Sequence, residues 1–320
     1  MTSCRAVFLD LAPLDQGDLD LTALQAAFDD LTCHTLSAAE QVSERLQGAQ
    51  VAIVNKVALT EETLERCPEL KLILVAATGV NNIDLAAARR RGITVCNCQA
   101  YGTPTVAQHT LMLLLALATR LPDYQAAVAD GRWQRSGQFC LLDFPIVELD
   151  GKTLGLLGQG ELGSAVARLA EAFGMRVLVG NLPGRPPRPG RLDLDELLPQ
   201  VDALTLHCPL TEQTRNLIGA RELQLMKPSA FLINAARGGL VDEQALADTL
   251  RRGHLGGAAT DVLTSEPPRD DNPLLAPDVP RLIVTPHSAW GSREARQRII
   301  GQLAENAAAF FARTPLRRVG

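Results

Sequence analysis

Four short stretches of this chain hold residue types that do chemistry. The segment TLGLLGQGELGSAVARLAEAFG sets Gly158, Gly160 and Gly163 in a GxGxxG spacing. Alone that spacing is a weak signal. Here an apolar strand precedes it and a helix of 3.6-residue period follows, through Leu162, Val166, Leu169, Ala170 and Phe173. In that setting Gly158 permits a tight turn, Gly160 admits a pyrophosphate close to the backbone, and Gly163 lets helix and strand approach. The free N–H groups at the helix start then face the phosphates. Downstream lie Arg237 in FLINAARGG, Glu266 in DVLTSEPP and His287 in TPHSAW, each just past an expected strand. Ligands of open α/β sheets bind at those strand ends. An arginine there can fork a carboxylate and polarise a neighbouring carbonyl. A histidine paired with a carboxylate has its imidazolium favoured and can protonate a developing alkoxide. Taken singly, each has a bland reading: a loop salt bridge, a helix cap, a satisfied core histidine. Their placement after three successive strands of a dinucleotide fold favours a working site.

The glycine motif usually has a companion, an acid about 20 residues on that binds a ribose 2′-hydroxyl. This chain reads VLVGNLPGRPPRPG there, and no Asp or Glu occurs until Asp193. Asn181 is the polar residue at the strand end, and Arg185 and Arg188 follow it. Without the acid nothing repels a 2′-phosphate, and an arginine could hold it by a charge-assisted pair. NADPH is therefore expected to be accepted at least as well as NADH. Both arginines also read as part of a solvated loop.

The elements that must position these residues alternate between strand and helix. Ala6–Leu9, Val51–Val54 and Leu72–Ala76 are short apolar strands, with helical stretches at Leu21–Phe28, Ala39–Gln47 and Thr60–Cys67. Thr60, three residues before Thr63, looks like a helix cap. A second series follows near Asp150: Thr153–Leu157, Arg176–Val179, Ala203–Leu206, Phe231–Asn234, Gly257–Asp261 and Leu282–Val284. Such alternation predicts βαβ units and a mostly parallel sheet. Between the series, Val106–Arg120 reads as a buried packing helix. Leu182–Gly190, with four prolines, reads as a loop or linker.

Composition excludes several classes. The chain has 320 residues, 46% hydrophobic and 21% charged, enough for about two domains with sizeable cores. A net charge of −5 leaves no basic footprint for nucleic acid. The N-terminal MTSCRAVFLDLAPLDQGDLD turns acidic early and reads as a first strand, not a signal peptide. The longest apolar run, Leu111–Ala118, is far short of the ~20 residues a membrane span needs. The seven cysteines are scattered without a CxxC pair, and no metal site is expected. They read as small apolar residues in a reducing cytoplasm.

Taken along nearly its whole length, the chain resembles the D-isomer-specific 2-hydroxyacid dehydrogenases, most closely the glycerate dehydrogenase or hydroxypyruvate reductase branch. The stretches that carry the resemblance are AATGVNNIDLAAARRRGITVCN, GRWQRSGQFCLLD, GQGELGSAVARLAEAFGMRV, HCPLTEQTRNLI, LMKPSAFLINAARGGLVDEQAL, GAATDVLTSEPP and TPHSAW. The resemblance implies Arg237 as substrate-binding arginine, His287 as acid/base and Glu266 as the carboxylate holding it. It implies that the backbone of Thr78–Gly79–Val80 receives the substrate carboxylate, with Tyr101 an aromatic near the substrate. Asp261 would lie by the nicotinamide carboxamide and Thr105 would touch the cofactor phosphate. The implied cofactor set, NAD or NADP, also takes in Glu161, Leu162, Cys208, Pro209 and Ala235. Asn55–Lys56 fits the hydroxypyruvate branch without a stated role.

The resemblance further implies an α/β protein of two doubly wound parallel-sheet domains with a cleft between. Residues 1–99 with 290–320 would form a discontinuous, flavodoxin-like substrate domain, and 100–289 a Rossmann NAD(P)-binding domain. The C-terminal helix Ala295–Phe311 would cross back over the junction. A cytoplasmic homodimer through the cofactor domain is implied, with Leu111–Leu117 and the GRWQR segment as contacts. Two departures stand out: the missing ribose acid, and Gln108 where the family often has glutamate, expected to alter an internal hydrogen bond. Formate dehydrogenases of the family pair the histidine with glutamine, and phosphite dehydrogenases carry lysine at the Thr78 position; both activities are disfavoured. The expected reaction is NAD(P)H-dependent reduction of hydroxypyruvate or glyoxylate to the D-2-hydroxy acid, and oxidation of D-glycerate in reverse. The alternatives are a broad or D-lactate-like 2-ketoacid reductase and, remotely, an NAD(H)-sensing binding protein of the corepressor type. The last is disfavoured because such relatives carry added tails, whereas this chain ends five residues after Pro315.

Overall fold

A computed structural model describes residues 4–269 and 271–319 of the chain. It divides into two compact units, Met1–Gly102 with Trp290–Gly320, and Thr103–Ala289.

The first unit is built on five parallel strands: β1 (Arg5–Phe8), β2 (Asp30–Cys33), β3 (Val51–Val54), β4 (Leu72–Val75) and β5 (Thr94–Cys96). Their order is β2-β1-β3-β4-β5. Every residue of β3 and β4 is buried, because helices cover both faces of a parallel sheet and select apolar side chains on each. One face packs Val7, Val54, Ile73 and Val75 beneath Val42, Leu46 and Leu64. The other packs Phe8, Ile53 and Leu72 against Ile299, Ile300 and Leu303 of the helix Arg293–Phe311. Ser292 caps that helix by accepting from the Ala295 N–H, and Thr60 caps Glu61–Glu65 by accepting from Thr63. Two strands escaped the sequence reading. β2 is an edge strand whose DLTC is half exposed, and β5 is only three residues long. The helix expected over Leu21–Phe28 shrinks to Thr22–Gln25.

The second unit carries β6 (Thr153–Leu157), β7 (Arg176–Gly180), β8 (Ala203–Leu206), β9 (Phe231–Asn234), β10 (Gly257–Thr260) and β11 (Leu282–Val284). These are the six expected strands, all parallel, in the order β11-β10-β9-β8-β6-β7. The chain therefore winds outward in opposite directions from β6, which lies between β7 and β8. In the first unit the same reversal occurs at β1, between β2 and β3. The apolar helix Thr103–Ala118 lays Leu113, Leu114 and Leu117 against Phe231, Ile233 and Ala259. Residues 182–190 form an irregular loop, as their prolines require.

Three expectations are corrected here. Leu111, Leu113, Leu114 and Leu117 are buried in their own unit's core, which leaves Met112, 43% exposed, as the most open residue of the segment expected to meet a second subunit. Gln108 is exposed and its side chain meets no partner among the described residues, so the altered hydrogen bond expected at this position is not an internal one here. Of the seven free thiols, Cys33 and Cys140 are exposed; only Cys67, Cys96, Cys98 and Cys208 are buried apolar groups.

Candidate active site

The strand ends of the second unit gather most of the polar residues singled out above. At the end of β6 the glycines are forced by their surroundings. Gly158 has φ +103°, and a Cβ there would lie 2.5 Å from the His207 carbonyl carbon. A Cβ on Gly163 would lie 2.0 Å from the Gly158 oxygen. At Gly160 the same test meets nothing within 4 Å, so this backbone is open to a close neighbour. The helix Glu161–Ala172 begins at Gly160 with no side-chain cap, and the first-turn N–H groups meet no acceptor among the described residues. Uncapped amides beside an open glycine form an anion cradle at a helix N-terminus. The pyrophosphate of a nicotinamide dinucleotide fits that cradle. Thr103 donates to the Glu161 carboxylate at 2.8 Å, drawing the start of the helix that carries Thr105 against this one.

The loop after β7 returns beside the strand. Asn181 N–H donates to the Leu192 carbonyl and Leu192 N–H to that of Val179. Asn181 donates from Nδ2 to Asp193 at 2.9 Å and accepts from the Arg188 N–H at 3.2 Å. This return brings in a residue that sequence reasoning missed. Arg191 donates to the Gln159 side chain, inside the glycine loop, at 3.2 Å. Its signal was distance in sequence: a cation beyond the prolines matters only once the loop closes. Burial pushes the Cys208 thiol up to about 11, against the lowering effect of the nearby Arg185 charge. Pro209 follows, its carbonyl accepting from Thr214.

After β9 the chain runs through half-buried Ala235 into a turn stapled by buried Asn234. The Asn234 side chain accepts from Ala236 N–H and donates to the Arg237 carbonyl. Arg237 is exposed, and among the described residues its guanidinium is held to the Ala236 carbonyl alone. A Cβ on Gly238 would sit 1.9 Å from the Leu263 oxygen, so this turn lies directly on the backbone after β10. There Leu263 N–H donates to Glu266 Oε1 at 2.8 Å, and Glu266 Oε2 lies 2.6 Å from His287 Nδ1. An ionised carboxylate only accepts, so His287 Nδ1 carries the proton of this bond and Nε2 is the working nitrogen. Nε2 meets no protein partner among the described residues. Arg237, Glu266 and His287 are thus linked through one short piece of backbone.

His287 sits at φ +52°, an uncommon conformation for a residue with a Cβ. Asp261, 1% exposed, holds it there. The Asp261 carboxylate accepts from Thr285 Oγ1 at 2.6 Å and from the Ser288 and Ala289 N–H groups at 2.9 Å each, while its carbonyl accepts from the His287 N–H. His109 Nε2 reaches Thr285 Oγ1 at 3.1 Å. Thr285 and His109 are supports that no motif announced.

In the first unit, Thr78, Gly79 and Val80 follow β4. The Thr78 hydroxyl donates to the Cys98 carbonyl and the Thr78 carbonyl accepts from Asn97. Among the described residues the N–H groups of Thr78, Gly79 and Val80 meet no acceptor. Three such amides in sequence can receive a carboxylate. Tyr101 packs edge-on against Trp290, centroids 6.4 Å apart, and its carbonyl accepts from Arg298. Among the described residues no three His, Cys, Asp or Glu side chains converge as metal ligands, and no helix is long and apolar enough to cross a membrane.

Comparison with known proteins agrees with this geometry. Residues 111–289 match the family model described as D-isomer specific 2-hydroxyacid dehydrogenase, NAD binding domain. A glycerate dehydrogenase of Methylorubrum extorquens is 49% identical over 86% of this chain and 87% of its own. A hydroxypyruvate reductase of Blautia hydrogenotrophica is 34% identical over 98% of this chain and 99% of its own. Among solved structures, an NADPH-dependent glyoxylate/hydroxypyruvate reductase of Sinorhizobium meliloti, in complex with NADP and malonate, superposes with a TM-score of 0.81. It is 28% identical, over 100% of this chain and 97% of its own.

Proposed function

This chain belongs to the D-isomer-specific 2-hydroxyacid dehydrogenases, and from that membership we propose that it reduces hydroxypyruvate, and glyoxylate second, to the D-2-hydroxy acid. D-Glycerate is oxidised in the reverse direction. The observation that carries this reading is the 2.6 Å contact between His287 Nδ1 and Glu266, with Arg237 on the backbone that holds Glu266. The substrate carboxylate is assigned to the amides of Thr78–Val80 and to Arg237, with Tyr101 on the substrate side. Arg237, always charged, also polarises the C2 carbonyl. His287, oriented by Glu266, gives its Nε2 proton to the carbonyl oxygen and takes it back in the reverse direction. The bound nicotinamide cofactor supplies or accepts the hydride at C2. Gly158, Gly160, Glu161, Leu162, Gly163 and Thr105 are assigned to its pyrophosphate. Cys208, Pro209, Ala235 and Asp261 are assigned to the remainder of the cofactor, with Asp261 also shaping the His287 loop.

We assign NADPH acceptance to Asn181, Arg185 and Arg191, since the loop after β7 brings two cations to the strand end where the family's acid is missing. Asp193, bonded to Asn181, is the opposing charge. A homodimer through the second unit is the reading favoured by the exposed apolar side chains of Leu121, Val128, Trp133, Phe139, Leu142 and Ile146, close in sequence, with Phe139 95% and Leu142 77% exposed. A cytoplasmic location is the reading that suits a nicotinamide-dependent enzyme with seven free thiols, which stay reduced there.

One steady-state panel tests the reading: pyruvate, glyoxylate, hydroxypyruvate and phenylpyruvate against NADH and NADPH. Hydroxypyruvate is expected to give the highest kcat/KM. A preference for phenylpyruvate or pyruvate would favour the broad reductase instead. NADH better than NADPH by about a hundredfold, roughly 2.7 kcal/mol, would remove the role given to the arginines.

A further inference from the structure

In an open parallel sheet the natural ligand crevice lies where the strand order reverses, outside the C-terminal ends of the two strands that flank the reversal. In the first unit that place is the end of β1 and β3. It is filled from within. Asp10, two residues past β1 and only 2% exposed, points its carboxylate at the backbone that leaves β3. Asp10 Oδ1 accepts from Asn55 N–H at 2.7 Å, and Oδ2 from Lys56 N–H at 2.6 Å and Val57 N–H at 3.0 Å. Three consecutive amides converging on one anion are the geometry of an anion-binding nest. The anion here belongs to the chain.

The loop so fixed is tied onward to the segment after β4. Asn82 Nδ2 donates to the Val57 carbonyl at 2.8 Å. Leu59 N–H donates to the Asn82 carbonyl, and Asp84 N–H to that of Leu59, forming a short parallel bridge between Leu59 and Ile83. Ile83 N–H then closes on the Val80 carbonyl at 3.0 Å. The chain of contacts therefore runs from Asp10 through residues 55–59 and Asn82 to Val80, the last of the three amides left without an acceptor. Burial pushes the Asp10 carboxyl pKa up; the three N–H groups and the Lys56 charge oppose that rise.

We propose that Asp10 is a positioning residue, an internal anion that plugs the reversal-point crevice and sets the Thr78–Val80 amides at the spacing a substrate carboxylate needs. This rests on the reading of those amides as the carboxylate receiver. It also gives the Asn55–Lys56 motif a role, as the middle of the tie.

The experiment measures kcat and KM for hydroxypyruvate, with saturating NADPH, in the full-length wild type and in Asp10→Ala, Asn82→Ala and Arg237→Ala. Asp10→Ala and Asn82→Ala are expected to raise KM about tenfold, the scale of one lost charge-assisted bond, with kcat little changed. Formate should lower the raised KM of Asp10→Ala by occupying the vacated nest, while acting on the wild type only as a weak competitor. A purely structural role would lower Tm and reduce active protein without separating KM from kcat. If Asp10→Ala fails to fold, Asn82→Ala decides. The proposal is overturned if Asn82→Ala leaves KM within about twofold while Arg237→Ala raises it, or if a folded Asp10→Ala shows no KM change or no response to formate. If Arg237→Ala also leaves KM unmoved, the assignment of the carboxylate site itself has failed.

Discussion

The two units are variations on one plan, a parallel sheet wound both ways from its first strand, yet they treat the reversal point oppositely. In the second unit the end of β6 is stripped of side chains: Gly158 and Gly163 have no room for a Cβ, and Gly160 opens onto space. In the first unit the end of β1 is closed by the carboxylate of Asp10. The second unit gathers the polar side chains Arg237, Glu266 and His287 past its strands, whereas in the first the backbone amides of Thr78–Val80 meet no acceptor among the described residues. One topology thus ends either in an open glycine turn or in a loop closed on a buried carboxylate, depending on what stands just past the first strand.

The sharpest way to break this contrast is to remove the side chain that does most in the second unit. His287→Ala should lower kcat for hydroxypyruvate by ~10²–10⁴-fold, the usual worth of general acid–base help. A variant keeping more than about a tenth of wild-type kcat would mean that the proton comes from elsewhere. Next come the glycines. Gly163→Ala forces a Cβ against the Gly158 carbonyl, so both Tm and NADPH affinity should fall, Tm by several degrees for an overpacking cost of ~1–3 kcal/mol. Gly160→Ala meets open space and should keep its Tm while weakening NADPH about tenfold, read by fluorescence titration. Equal effects of the two substitutions on Tm would erase the distinction between packing glycine and ligand glycine.

The smallest expected effect concerns the support behind the cradle. His207, whose backbone walls in Gly158, has its imidazole pKa pushed down to about 4 by burial, against an ordinary 6.5. Between those values the unfolded chain binds one more proton than the folded one. Stability therefore rises with pH through this window and is lost as pH falls from 6.5 toward 4. The slope from this single group is at most ~1.4 kcal/mol per pH unit. Urea midpoints at several pH values should show a shallower dependence in His207→Gln than in wild type; parallel curves would show that His207 is not the group responsible.

What could be read from the sequence divides along the same line as the two units. Side-chain placement was legible: Arg237, Glu266 and His287 follow strands whose apolar runs mark them, and the glycine spacing gains weight from the strand before it and the helix after it. The six strands of the second unit were legible for the same reason, since burial on both faces leaves an unbroken apolar signature. Backbone chemistry was not. Nothing in the letters AATGV says that three N–H groups meet no acceptor among the described residues, and only the family resemblance pointed there. Asp10 looked like one acid among several near the N-terminus, because its partners lie 45 to 47 residues away. Arg191 and Thr285 matter through contacts that close over long or irregular loops. β2 and β5 were missed because an exposed edge and a three-residue strand leave no pattern to count.

The loop over residues 182–190 carries a last consequence, one of entropy. Pro183, Pro186, Pro187 and Pro189 each hold φ near −65°, and both loop ends are pinned across β7 by the Asn181–Leu192 and Leu192–Val179 bonds. A flexible loop of this length would have to freeze whenever an anion docked on it, at a cost of roughly 1–2 kcal/mol per residue ordered. Here most of that freedom was surrendered when the chain folded. Should the loop take a phosphate as proposed, mainly the arginine side chains would be left to still, and the stiffness of four prolines would reappear as affinity.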